Sequence, residues 1–315
     1  VLFILALFVC VVLHELGHSL TAKSFGGDVR SITLLPIGGM ANIKKMPEKP
    51  KEEFLVTIAG LAVNVVIAIV IWVIISSFGS INLETLNFET VTARNFFIML
   101  MAVNLLIVAF NLIPAFPMDG GRILRALISL RKSRLQATHI AKNVGKIFGV
   151  LFVILGLFYN PFLIIIGIFV FLGAQAEYEM IRHKDVLEKY HFSDLMSSSY
   201  VSLNTDDKLE KAADLLIHGS DNGFVIKSGE QYKGVLTKDD IIKGLNSAGK
   251  EHNVEDVMSE PVYRAEMNDS LNKVFNDMMK NKHQFIPVFK NGDFQGILEL
   301  ENIQELIMVE RAAGK

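Results

Sequence analysis

The sequence predicts a multi-pass α-helical membrane domain followed by a water-soluble α/β module, and three observations carry that prediction. Uncharged apolar stretches crowd the first part of the chain and stop near residue 177. A histidine–glutamate pattern typical of metal binding lies inside the first of those stretches. The remainder has ordinary soluble composition and contains an internal repeat. With 51% hydrophobic and 20% charged residues and a mean hydropathy of +0.38, the 315-residue chain is too apolar for a soluble protein of this length. A net charge of −2 gives no reason to invoke nucleic acid as a partner. Cys10 is the only cysteine, so no intrachain disulfide can form, and its apolar setting marks it as a small buried hydrophobe.

The first span, Val1 to about Ala22, begins with thirteen residues free of charge and hydroxyl and runs into His14-Glu15-Leu16-Gly17-His18. The chain starts within this apolar run rather than at a methionine, so further sequence is expected upstream. Phe54–Leu83 is uncharged and supplies a full span, and Asn95–Met118 is a second uncharged run whose helical part is expected to cross. Ile147–Ala176 is thirty uncharged residues interrupted by Asn160-Pro161, a turn signal that favours a hairpin of two helices over one tilted span. The first helix of that hairpin would start near Ala137, letting Lys142 and Lys146 snorkel toward the interface.

Loop charge sets the expected orientation. Gly26–Glu53 carries Arg30, Lys44, Lys45, Lys49 and Lys51, and Gly121–Lys146 carries Arg122, Arg125, Arg131, Lys132 and Arg134. Between them, Gly79–Arg94 holds Glu84 and Glu89. By the positive-inside rule the basic loops are cytoplasmic, and with the hairpin everything after Glu177 is cytoplasmic too. His18 lies five residues before Lys23, roughly 8 Å along a helix. The metal is therefore expected inside the bilayer, close to its cytoplasmic face.

His-Glu-x-x-His on a helix puts two imidazoles on one face with a carboxylate beside them. Ionisable groups inside a bilayer cost roughly 2.5–3.5 kcal/mol each on insertion scales, so this cluster demands a cause. A catalytic zinc needs three protein ligands and an open position for water. His14 and His18 supply two, Glu15 suits the general base, and Asp119 is the best candidate for the third. Asp119 closes the segment Asn111–Asp119, where Pro114 and Pro117 bar a regular helix; such backbone is tolerated at membrane depth only when buried in protein or lining a wet cavity.

From Phe192 onward the chain repeats with an offset of 62: Asp194-Leu195-Met196-Ser197 recurs as Asp256-Val257-Met258-Ser259, and Gly234 maps onto Gly296. Each copy reads as a helix, short apolar strands and a closing helix. The chain thus divides into a transmembrane metalloprotease domain over residues 1–180 and two copies over 181–250 and 251–315.

His14-Glu15-Leu16-Gly17-His18, Ala59-Gly60-x-x-x-Asn64 and Asn111-x-x-Pro114-x-x-Pro117-x-Asp119-Gly120 resemble the three core motifs of the site-2 protease family of intramembrane zinc metalloproteases (peptidase family M50). The C-terminal repeat resembles a pair of CBS domains. The resemblance implies Zn2+ held by His14, His18 and Asp119, with Glu15 catalytic. It puts Asn64 and Asn111 near the site as substrate or oxyanion donors, although both are also compatible with simple interhelical hydrogen bonding. The family often has proline where this chain has Leu61, and it has a helix ahead of the zinc-motif helix.

CBS pairs that bind adenosine nucleotides (ATP, ADP or AMP) usually carry Gly-x-x-(Ser/Thr)-x-x-Asp. The first copy fits, through Gly234, Thr237 and Asp240, which equally suit a helix cap. The second has Glu299 where phosphate would approach, so like charges repel there. The implied protein is an intramembrane zinc endopeptidase in the cell membrane. Its partners would be a membrane-anchored protein substrate, an adenine nucleotide and, through the CBS domains, a second copy of itself. The rival reading is a CBS-regulated transporter or channel. Finally, Arg30–Ile43 suggests a short cytoplasmic β hairpin whose edge could hold an unwound substrate.

Overall fold

The structure is a computed structural model that describes residues 1–27, 29–35, 38–43, 47–77, 95–219, 223–247, 249–259 and 264–313. It divides into two units, Val1–Ile181 and Arg182–Lys315. The acidic segment Gly79–Arg94, on which the expected orientation partly rests, lies outside the described residues, as do Lys44 and Lys45.

In the first unit α1 (Leu2–Ser24) is followed by an antiparallel pair, β1 (Val29–Leu35) and β2 (Gly38–Ile43), with Thr33 opposite Met40 and Leu35 opposite Gly38. The expected hairpin is therefore present, lying beside α1. Then come α2 (Pro50–Ser77), α3 (Phe96–Asn111), α4 (Asp119–Ser129), α5 (Arg134–Phe158) and α6 (Phe162–Leu187). Among the described residues α1, α2, α5 and α6 are long and apolar enough to cross a membrane. The Asn160-Pro161 signal corresponds to the break between α5 and α6. One expectation needs correcting: α3 has 16 residues, about 24 Å of helix, which is short of the roughly 30 Å hydrocarbon core. Its run is cut by the proline segment that delivers Asp119.

The helices of this unit turn many large apolar side chains outward and bury small and polar residues along with an apolar core. On α2, Val66, Ile69, Val70, Trp72 and Val73 are exposed, whereas Thr57, Gly60, Asn64 and Ala68 are buried. Large aliphatic side chains on the outside would be costly in water and suit lipid, while small and polar residues let helices pack closely. The α5–α6 hairpin closes in this way: a Cβ on Gly149 would lie 2.9 Å from the Gly167 carbonyl oxygen, and one on Gly167 would lie 2.6 Å from that of Gly149.

An ion network ties four helices together. Arg125 on α4 donates to Glu53 of α2 (2.9 Å from Nε) and to Glu177 of α6 (2.6 Å from Nη1), and Arg134 at the start of α5 reaches the other Glu53 oxygen at 3.2 Å. Glu53 is fully buried and Arg125 nearly so, a setting in which removing one partner costs about 3–5 kcal/mol. Lys142 also departs from expectation. It does not snorkel but is buried, with its ammonium 4.0 Å from the centre of the Tyr178 ring, where the π face replaces lost hydration.

In the second unit the short α7 (Phe192–Leu195) leads into β3 (Ser202–Asn204), α8 (Leu209–His218), β4 (Gly223–Ser228), β5 (Gln231–Thr237) and α9 (Lys238–Ser247). The pattern repeats as β6 (Ala265–Glu266), α10 (Leu271–Asn281), β7 (Phe285–Lys290), β8 (Asp293–Glu299) and α11 (Leu300–Ala312). The two sheets, β3-β4-β5 and β6-β7-β8, share one topology, a parallel pair followed by an antiparallel hairpin. Their registers keep the repeat offset: Gly223 pairs with Thr237, and Phe285 with Glu299.

The sequence copies nevertheless exchange their leading segments. Val186, Leu187 and Phe192 pack in a core with residues of the second copy such as Val274, Ile286 and Leu298. Val254, Val257 and Met258 pack in a core with Leu203, Phe224 and Leu236 of the first. Ser197 bridges Ile297 while Ser259 bridges Val235, so the crossing obeys the same offset. Close approach there explains the repeated glycines. A Cβ on Gly234 would stand 2.9 Å from the Ser259 carbonyl oxygen, and one on Gly296 would stand 2.6 Å from that of Ser197.

Candidate metal centre

Helix α1 carries His14 and His18 on its buried face, one turn apart. α2 crosses that face where its residues are smallest: a Cβ on Gly60 would lie only 2.3 Å from Cε1 and Nε2 of His18. The chain then leaves α3 through a helix-free stretch and re-enters helix at Asp119, the first residue of α4, after Met118 in extended conformation. Gly120 allows this sharp entry, since a Cβ there would meet the Ile113 carbonyl oxygen at 2.2 Å.

These three elements bring His14, His18 and Asp119 together. The two Nε2 atoms are 3.1 Å apart, and Asp119 Oδ2 lies 3.3 Å from that of His14 and 3.2 Å from that of His18. All three residues are buried. The outward ring nitrogens are already engaged: His14 Nδ1 is 2.9 Å from Asn64 Oδ1, and His18 Nδ1 is 2.8 Å from the Val56 carbonyl oxygen. Both partners are acceptors, so each Nδ1 donates its proton outward, and in the neutral ring each Nε2 turns a lone pair toward the centre.

The centre therefore turns two imidazole Nε2 atoms and a carboxylate oxygen toward one point. Asp119 Oδ2 is buried without a hydrogen-bond donor, an arrangement that is costly unless a cation sits between the three. The donors also fit zinc in particular. Bonds of about 2.05 Å at tetrahedral angles put neighbouring ligand atoms about 3.3 Å apart, close to the three separations observed. A zinc ion held by these three residues would keep a coordination position for water or substrate.

The other predicted residues are distributed as follows. Glu15 follows His14 on α1, is half-buried and lies outside the triad. Asn64 is in direct contact with a candidate ligand through His14. Asn111 ends α3 with its amide donating to the Ile107 carbonyl at 3.0 Å, so it engages its own helix rather than the triad. In the second unit Thr237 and Asp240 close a helix cap: the Thr237 hydroxyl donates to Asp240 Oδ2 at 2.7 Å and accepts from the Asp240 amide at 3.2 Å. The pair therefore caps α9.

Sequence reasoning missed Asn104, a fully buried residue of α3 that accepts a hydrogen bond from Asn64 at 3.1 Å. Its signal was present, because Asn104 is the only strongly polar side chain between Phe96 and Phe110.

Residues 2–155 match the family described as peptidase family M50, and residues 192–247 and 254–309 each match the CBS domain. A zinc metalloprotease of Methanocaldococcus jannaschii is 35% identical over 96% of this chain and 84% of its own length. A putative zinc metalloprotease of Synechocystis is 28% identical over 98% of this chain and 83% of its own. Among solved structures, a site-2 protease from Methanocaldococcus jannaschii is 43% identical, covering 55% of this chain and 76% of that one at a TM-score of 0.44.

Proposed function

Since this chain belongs to peptidase family M50, the site-2 protease family of zinc metalloproteases, with a CBS pair appended, we propose that it is an intramembrane endopeptidase that cuts membrane-anchored proteins. In this reading His14, His18 and Asp119 hold the zinc and Glu15 is the catalytic base. The observation that carries it is the buried triad, in which two imidazole nitrogens and a carboxylate oxygen lie within 3.3 Å of one another.

When bound, the zinc acidifies a water molecule and polarises the scissile carbonyl. Glu15, one residue along α1 from His14, accepts the proton of the attacking water and returns it to the departing amine. Asn64 holds the His14 ring with its lone pair forward, and the Val56 carbonyl does the same for His18. Asn111 is the remaining candidate for the oxyanion; to serve, its amide must leave the Ile107 carbonyl. Burial of the triad keeps bulk water from competing with substrate. The reading is tested on purified, detergent-solubilised protein. It should contain one zinc per chain, lose cleavage of a single-span substrate on chelation and regain it with zinc. Full cleavage after complete removal of metal would overturn it.

A transmembrane substrate hides its peptide bonds in helical hydrogen bonds and must be unwound first. We assign that task to the β1–β2 hairpin, which offers a strand edge to an extended segment. Proline at Met40 or Ala41 should lower turnover while zinc stays bound; normal cutting by such variants would remove the hairpin from the mechanism.

The charge of the loops places the hairpin, the metal and the CBS pair on the cytoplasmic side in this reading. The CBS pair would sense an adenine nucleotide through Thr237 and Asp240, whose hydroxyl would turn from the cap toward phosphate, and is a candidate surface for homodimers. Glu299 takes the place of Thr237 in the second copy, so calorimetry should return at most one nucleotide per chain. Two equivalent sites would refute that count.

A further inference from the structure

We infer that Asn104 is a positioning residue for the metal centre: acting through Asn64, it decides which nitrogen of His14 carries the ring proton, and so whether Nε2 meets the metal as a lone pair. The inference rests on the zinc-site reading above. Asn104 is fully buried, and its amide nitrogen donates to the Leu100 carbonyl at 2.8 Å, with Cys10 Sγ 3.4 Å away. A backbone carbonyl can only accept, so the Asn104 side chain has one permitted orientation, with NH2 toward Leu100 and Oδ1 toward Asn64. Asn104 Oδ1 then takes a proton from Asn64 Nδ2 at 3.1 Å, which obliges Asn64 to offer Oδ1 to His14. His14 must in turn keep its proton on Nδ1, leaving Nε2 as a lone pair within the triad. A polarity set by one carbonyl of α3 is thus passed through α2 to the ring on α1.

The two histidines differ in how this is secured. The partner of His18 Nδ1 is the Val56 carbonyl, which cannot be turned over. The partner of His14 is a side-chain amide, which can. Without the acceptor on Asn104, Asn64 is free to flip and present NH2 to His14 Nδ1. The ring proton then moves to Nε2 and points at the position a metal must occupy. His14 is the vulnerable ligand, and Asn104 is what guards it.

The test uses the full chain in detergent and reads zinc affinity by chelator competition, together with the visible absorption of the cobalt(II)-loaded protein. Asn104→Leu, which keeps volume and removes the acceptor, should weaken zinc binding about 10–100-fold, the usual effect of losing a partner behind a metal ligand, and should alter the cobalt spectrum. Asn104→Ala serves in its place if the leucine variant does not fold. In an Asn64→Ala background the same change should have no further effect on affinity, because the relay is already cut. Affinity within about twofold of the unsubstituted protein, or losses that add in the double variant, would overturn the inference. If the unsubstituted protein itself binds no zinc, the metal reading falls and this inference with it; the reference titration distinguishes that failure from the other.

Discussion

Glu15→Gln is expected to abolish cleavage, by about 10²–10⁴-fold or more, while leaving one zinc per chain in place. The physical basis is the separation of roles along one helical turn. The triad of His14, His18 and Asp119 is complete without Glu15, so an isosteric amide costs no ligand. What it removes is a base able to take the proton of the attacking water, a contribution of the stated size in general acid–base catalysis. Zinc content and turnover measured on the same preparation check the prediction. Loss of both together would make Glu15 structural, and undiminished cleavage would remove Glu15 from the role of base. The experiment also tests the rival reading, since a CBS-regulated transporter or channel would keep its activity in this variant.

Gly60→Ala should abolish activity by a different route, through the metal. The added methyl would stand 2.3 Å from two atoms of the His18 ring, well inside van der Waals contact. The ring can yield only by rotating, which breaks its bond to the Val56 carbonyl and withdraws Nε2 from the triad. Nor can the helices simply move apart at no cost, because Gly17 of α1 is packed as closely on the other side: a Cβ there would lie 2.9 Å from the Ala59 carbonyl oxygen. Zinc affinity is therefore expected to fall at least about 100-fold, with overpacking costing about 1–3 kcal/mol of stability. A Gly60→Ala protein that retains zinc at full affinity would show that α1 and α2 do not approach this closely. The middle motif thus has a steric meaning: it keeps the space that His18 occupies.

Much of this was legible in the chain. The histidine–glutamate pattern in an apolar run announces a metal because polar groups in lipid need a reason to be there. The break at Asn160-Pro161 separates α5 from α6 because proline ends the helical ladder. The repeat offset of 62 reappears unchanged in strand registers and bridges, since residues at equal positions in a repeat meet equal backbone. Less legible were features created by packing between distant segments. Arg125 read as one of several loop cations but is enclosed by Glu53 and Glu177, which lie 72 and 52 residues away. Lys142 read as an interfacial lysine but folds onto Tyr178. The exchange of leading segments between the repeat copies leaves no trace in composition, because each copy is equally apolar whichever core it fills.

The amino-acid order by itself determined the spans, the metal-binding residue types and the repeat, all of which follow from local periodicity, turn chemistry and the cost of polar groups in hydrocarbon. The tertiary structure alone decided how closely the three ligand atoms approach one another, that a glycine makes room for His18, and that Asn104 orients His14 from two helices away. Distances and hydrogen-bond polarity between helices depend on which faces meet and how closely, and one-dimensional spacing carries neither.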